Sequence, residues 1–447
     1  MAALLGHLVG AVNNIGENEV RNWIAGIVEN SLNLLGYNRV LGYVQTVFHG
    51  ADDNPMLDLG FAIAKRTLVA MRAYLGPAPA LWDLIMNSEV NKETFKYIQQ
   101  NWSALAEFFV DLLEPTKRFC KADSTDGETS VDGMEYNTYN EMDLTVSMNR
   151  HAVICQLQRV AKSVAQLFGK QNANLNEFMD TELDSDAGKD ITEIPVLNRP
   201  GQKDETWLYV NGIAGEAYWQ TLALKKLRDY FFDDPAKGTS ADTEERGAVI
   251  KAIFNRSDGL LWDLIECAGE RRPDGVERGI NERTQSSLKA QKALTGVLEK
   301  ELREGNHDIF MIAHSQGCLL LRLSLEELIA SDDEGLKEAM KDRLLVFTFG
   351  NPSYDWEVHK NIKRTEHFAN REDFVAKLGV LRFAGTLEDP YHCDDCANRT
   401  AVHGQQLIFV NKERKGHLFG AQYCLDKDEY SNGESSWLLG RARWNGV

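Results

Sequence analysis

No stretch of this chain approaches the roughly 18 consecutive apolar residues that a membrane-spanning helix needs. A transmembrane segment is therefore not expected. A disulfide framework is also missing. The seven cysteines (Cys120, Cys155, Cys267, Cys318, Cys393, Cys396 and Cys424) are scattered and odd in number, which suits a reducing compartment. Basic residues are in deficit, leaving a formal net charge of −18. So acidic a surface repels nucleic acid and anionic membrane, and it argues against a general role in binding either. The first residues, M-A-A-L-L-G-H-L-V-G-A-V, are apolar but carry no basic leader and no cleavage site. The expected location is the cytoplasm, or outside the cell by a route that uses no N-terminal signal. Internal repeats and low-complexity tracts are absent as well.

What is present is ample for a folded core. At 447 residues the chain is long for one compact domain, so two units are expected. A 43% hydrophobic content allows a large core with no metal or disulfide staple. The first ~115 residues read as helical by hydrophobic period. Val20, Trp23, Ile24, Ile27 and Val28 fall on one face, and a later helix stops at Glu114-Pro115. Residues 120–140 are polar and read as a loop. Residues 180–204 are acidic, are interrupted by Pro195 and Pro200, and read as the linker.

After the linker the pattern changes. W-L-Y-V-N-G-I (207–213), V-I-K-A-I-F-N (249–255), D-I-F-M-I-A-H (308–314), L-L-V-F-T-F-G (344–350) and T-E-H-F-A-N (365–370) read as strands separated by helical stretches. Strands apolar on both faces and alternating with helices predict a mostly parallel sheet covered on both sides. The expected organisation is α/β, with residues 1–195 mainly helical and residues 205–447 forming the sheet domain.

One junction carries chemistry. In D-I-F-M-I-A-H-S-Q-G (308–317) an apolar strand ends at Ser315 and runs straight into C-L-L-L-R-L-S-L-E-E-L-I-A, which reads as a helix. In the pattern G-x-S-x-G a sharp turn between strand and helix exposes a serine hydroxyl. The residues two before and two after the serine must be small, because strand and helix nearly touch. Here they are Ala313 and Gly317; alanine departs from the usual glycine but is small.

With this turn, residues 205–425 resemble the α/β-hydrolase superfamily on its lipase-like side. Y-V-N-G-I-A-G (209–215) resembles the segment that supplies one oxyanion-hole amide, and F-T-F-G-N-P (347–352) the strand and turn after the nucleophile. F-A-N-R-E-D-F-V (368–375) is similar to the strand end that presents the acid, and K-G-H-L-F (415–419) lies where the histidine is expected. The resemblance implies an α/β-hydrolase fold with the chain order Ser315, Asp373, His417. It implies attack by Ser315, proton transfer through His417 and orientation of the imidazole by Asp373. The oxyanion would meet the backbone amides of Gln316 and Ile213, the latter open to a slip by one residue. Asp355 is the alternative acid, and His392 and His403 are alternative histidines. Glu372 would point elsewhere, and His314 reads as a packing residue lining the site.

Two metal readings stand beside this. Y-H-C-D-D-C (391–396) and His403 offer His392, Cys393, Cys396 and His403 to a structural Zn²⁺, against the plainer reading of an inserted loop. The acidic run E-L-D-S-D-A-G-K-D-I-T-E (182–193) has calcium-loop rhythm, but its glycine is one position late, so it reads as linker. In N-R-S-D-G (255–259) a helix cap is the expected role of Ser257 or Asp258. No cofactor is required by the resemblance. The implied substrate is an acyl ester or lipid, and the implied enzyme is a lipase, phospholipase or esterase. Two other readings are a catalytically silent hydrolase-fold regulatory protein and a membrane-attacking lipase toxin. The helical first half reads as a cap, a lipid-docking surface with peripheral membrane contact, or a partner-binding module. The sequence does not choose among these, nor does it fix the oligomeric state.

Overall fold

The computed structural model describes residues 138–143, 146–149, 151–153, 155–156, 190–196, 205–232, 248–256, 263, 267, 285–353, 356–381 and 405–441. The helices expected before residue 116, the alternative acid Asp355 and the metal set His392, Cys393, Cys396 and His403 lie outside these residues. The chain divides into two compact units, residues 1–115 with 144–183, and residues 116–143 with 184–447. In the first, the described residues 147–149, 151–153, 155 and 156 are helical.

The second unit is built on a seven-stranded sheet. Its elements, in chain order, are β1 (Ile191–Val196), β2 (Glu205–Val210), α1 (Ala217–Phe231), β3 (Ala248–Ile253), α2 (Gln285–Glu304), β4 (Asp308–His314), α3 (Gln316–Ile329), α4 (Glu334–Arg343), β5 (Leu344–Phe349), β6 (Arg364–Asn370), α5 (Phe374–Leu378) and β7 (Gln405–Asn411). Strand order is β1-β3-β2-β4-β5-β6-β7, parallel except for β1, which pairs antiparallel with β3 at one edge.

The central strands are apolar on both faces because helices cover both. Along β2, Trp207 and Tyr209 face one side, while Leu208 and Val210 face the other. On the first side these rings meet Leu224, Leu227 and Phe231 of α1. Phenylalanines of successive strands stack there, with centroids 5.6 Å apart for Phe310–Phe347 and 4.7 Å for Phe349–Phe368. The other side receives Leu294 and Leu298 of α2, Leu321 and Leu325 of α3 and Met340 of α4.

One expectation needs correcting. The segment read as linker contains β1, with Pro195 opposite Val249. An edge strand tolerates acidic residues and a proline because one of its sides has no hydrogen-bond ladder to complete.

The topology places a site. From β2 the chain moves to β3 on one side, then returns to β4 on the other, so the strand order reverses between β2 and β4. In open parallel sheets, the crevice at the carboxyl ends of such a pair is where ligands bind. The chain leaves β2 at Asn211 and leaves β4 at Ser315.

Candidate active site

Ser315 occupies the N-cap of α3 with φ 56° and ψ −128°. This backbone conformation is disfavoured for any residue with a Cβ, and it persists only where the surroundings hold it. Here the Ser315 amide donates to Phe349 O at 2.8 Å, and its carbonyl accepts from the Cys318 amide at 2.8 Å. A serine at an N-cap ordinarily turns its hydroxyl onto the helix's own amides. Ser315 makes no such bond. Its Oγ lies 2.6 Å from His417 Nε2 instead.

The small neighbours are a steric requirement. A Cβ on Gly317 would lie 2.6 Å from Asn211 O and 2.8 Å from Val210 O, so the start of α3 sits directly on the end of β2. Gly212, whose role the sequence did not reveal, is tighter still: its Cβ would lie 2.3 Å from that of Ser315. Ala313 is fully buried in β4, in register with Val210 and Thr348.

The other two residues arrive from strand ends further along. Asp373 follows β6 and His417 follows β7, each beyond the carboxyl end of its strand. Asp373 Oδ2 lies 2.7 Å from His417 Nδ1. A carboxylate accepts, so the partners assign the proton to Nδ1 and leave Nε2 to accept from the Ser315 hydroxyl. All three side chains are buried. The second oxygen of Asp373 caps α5, accepting from the Val375 amide at 2.8 Å and the Ala376 amide at 3.4 Å. Tyr423 adds a phenolic hydrogen bond to Oδ2 at 2.5 Å. Burial and the Asp373 charge push that phenol well above its ordinary range, so it stays a donor. Glu372 points away and pairs with Lys377 at 2.5 Å, as expected of it.

His314 does more than fill space. Its Nε2–H donates to the His417 carbonyl at 2.7 Å, and the two rings lie 4.8 Å apart. Burial, then the nearby His417, drives its pKa well below the usual imidazole value. It stays neutral, so an imidazolium at His417 would not face a charged His314.

The loop after β2 runs against Ser315 and is stitched in place. Asn211 Oδ1 accepts from the Asn255 amide at 2.8 Å, and its Nδ2 donates to Asn255 O at 2.8 Å, extending the β2–β3 ladder with a side chain. Asn255 Nδ2 donates to Gln316 Oε1 at 2.7 Å, tying the residue after the serine into the same network. Ala214, at φ 54°, donates its amide to Asp263 Oδ2 at 2.7 Å.

No protein-family model, curated protein or solved structure matches this chain. Among the described residues, no three His, Cys, Asp or Glu side chains are grouped so as to hold a metal ion, and no helix is long and apolar enough to cross a membrane.

The sequence reading missed Gly212, Tyr423, Asp263 and the buried Lys226. One of them had a signal. Lys226 continues the apolar face of α1 set by Leu222, Ala223 and Leu227, a position where a solvated lysine would be out of place.

Proposed function

We propose that the chain is a serine hydrolase of the α/β-hydrolase type that cleaves carboxylic esters. One observation carries this reading: the unbroken chain Ser315 Oγ, His417 Nε2, His417 Nδ1, Asp373 Oδ2, with heavy-atom separations of 2.6 and 2.7 Å. The positive φ at Ser315 and its uncapped hydroxyl support it. So does the position of the site at the reversal of strand order.

The reaction follows from the geometry. The Ser315 oxygen attacks the acyl carbon as its proton passes to His417 Nε2. The imidazolium is stabilised by the Asp373 carboxylate against its Nδ1. The carbonyl oxygen, now an anion, is received by the backbone amides of Gln316 and Ile213. The N-terminal end of α3 adds its favourable dipole there. The Ala214 amide is committed to Asp263, which supports Ile213 over Ala214 as the donor from that loop. His417 returns the proton to the departing alkoxide, leaving an acyl-Ser315 ester. Water, deprotonated by the same histidine, then releases the carboxylic acid. A lipid or phospholipid ester is the substrate class proposed, on the strength of the lipase-like resemblance of 209–215, 347–352 and 415–419.

A fluorophosphonate probe tests the reading. Wild-type protein is expected to label and Ser315→Ala to stay blank; equal labelling of the two would sink the proposal. Release rates from p-nitrophenyl esters of increasing chain length, beside fatty-acid release from phospholipid vesicles, then assign the acyl class.

A further inference from the structure

The turn that follows His417 is held by two buried side chains of opposite charge. Glu141 reaches it from the amide side: Oε1 accepts from the Gly420 amide at 2.6 Å and Oε2 from the Ala421 amide at 2.9 Å. Lys226 of α1 reaches it from the carbonyl side, donating to Phe419 O at 2.8 Å, Gly420 O at 2.9 Å and Tyr423 O at 2.5 Å. An ammonium has three protons, and the turn takes all of them. Both side chains are buried.

We propose that Glu141 and Lys226 are positioning residues for His417, gripping residues 419–423 so that the imidazole stays between Ser315 and Asp373. The proposal rests on the hydrolase reading above. Three further observations converge on it. The turn passes the grip on to the triad, because Gln422 Oε1 accepts from the His417 amide at 2.7 Å and the Leu418 amide at 2.9 Å, while Tyr423 holds Asp373. Gly420 is shaped for the contact: a Cβ there would lie 2.0 Å from Tyr139 O and 2.8 Å from Glu141 Oε2. The segment bearing Glu141 is itself pinned to α1, since Tyr139 donates its hydroxyl to Asp229 Oδ2 at 2.8 Å. Lys226 and the anchor for Glu141 therefore share one helix.

The energetics favour a geometric purpose over a stabilising one. Burying two ions is costly, and well-packed apolar residues usually serve stability as well or better. Burial raises the Glu141 carboxyl above its usual range, while the Gly420 amide, the Lys226 charge and the Ala421 amide lower it. The Glu141 carboxylate thus depends on the lysine and on the turn between them. Backbone amides and carbonyls held by charges have little freedom to drift, and a misplacement of the base by about 1 Å costs on the order of 100-fold in rate.

Glu141→Gln and Lys226→Met test this. In Glu141→Gln the new amide group faces a backbone N–H, while the volume is kept. Ester hydrolysis by full-length protein is expected to fall roughly 10- to 100-fold in kcat with KM within about twofold, at a temperature where circular dichroism shows the protein folded. Amide hydrogen exchange at 418–423 should speed up, with β4 and β5 unchanged. If Lys226→Met does not fold, Tyr139→Phe loosens the same jaw more gently, with a smaller fall in kcat. Folded variants with wild-type kcat overturn the proposal, as does a loss of kcat that only tracks the folded fraction. Wild-type protein that neither labels nor hydrolyses sinks the hydrolase reading instead. The exchange measurement then still decides the grip, and unchanged protection at 418–423 overturns it.

Discussion

Tyr423 and Asp373 share a hydrogen bond of 2.5 Å, made to the same carboxylate oxygen that holds His417 Nδ1 at 2.7 Å. The carboxylate is thus saturated, with two donors on Oδ2 and two backbone amides on Oδ1. Tyr423→Phe removes one donor without changing the ring. A buried carboxylate that loses one of its partners is expected to cost about 1–3 kcal/mol of stability. The ester-hydrolysis rate should fall by roughly tenfold as the acid is held less firmly. Urea unfolding and kcat on one p-nitrophenyl ester measure both; unchanged values would make Tyr423 a bystander.

Asp373 does two separable things, one with each oxygen. Asp373→Asn keeps a carbonyl oxygen to accept from Val375 and Ala376, so α5 keeps its cap. The amide group that replaces Oδ2 would face Nδ1–H and favour the wrong imidazole tautomer. Activity should drop by roughly 10⁴-fold with a melting temperature close to wild type. Asp373→Ala loses the cap as well, and should cost a further ~1 kcal/mol of stability. Equal stability losses in the two variants would contradict this division.

The sheet and the serine turn were readable because their constraints are local. Apolar runs mark β4 and β5, and the small residues Ala313 and Gly317 mark the close approach of α3 to β2. Asp373 and His417 were found through chain order and the resemblance, since nothing in R-E-D-F or K-G-H-L alone says that they meet. What stayed hidden depends on contacts far apart in sequence. Glu141 lies just past the stretch 120–140 that reads as polar loop, and only the fold brings it to Gly420, 279 residues on. β1 was hidden for a different reason, because an edge strand accepts the same acidic and proline residues that mark a linker.

Asp263 holds the loop opposite the serine by accepting from the Ala214 amide at its Oδ2, at 2.7 Å. The bond fixes a residue at φ 54°, a conformation that alanine rarely adopts. Asp263→Ala should let this peptide relax and carry the Ile213 amide out of line. Loss of one oxyanion donor costs about 10²–10³ in kcat, so a partial misalignment should cost roughly tenfold. KM should change little, because the ground-state ester does not use that donor fully. A change confined to KM would place Asp263 in substrate binding instead.

His367 predicts how stability changes with pH. It is fully buried on β6, its Nδ1 lies 2.6 Å from Thr348 Oγ1, and burial, then His359, lowers its pKa from 6.5 to about 3. Between those values the unfolded chain binds a proton that the folded chain refuses, so stability is full above pH 6.5 and is lost as pH falls towards 3. His367→Asn keeps an acceptor for Thr348 and removes the titration. The variant is less stable at neutral pH because it leaves a cavity, but its deficit should shrink by about 2 kcal/mol between pH 7.5 and pH 5. Other titrating groups are common to both proteins and cancel in the difference. Urea unfolding at pH 5, 6 and 7.5 measures it. A deficit that stays constant across that range would mean that His367 takes up its proton at the same pH in the folded as in the unfolded chain, with Thr348 and its neighbours solvating the cation.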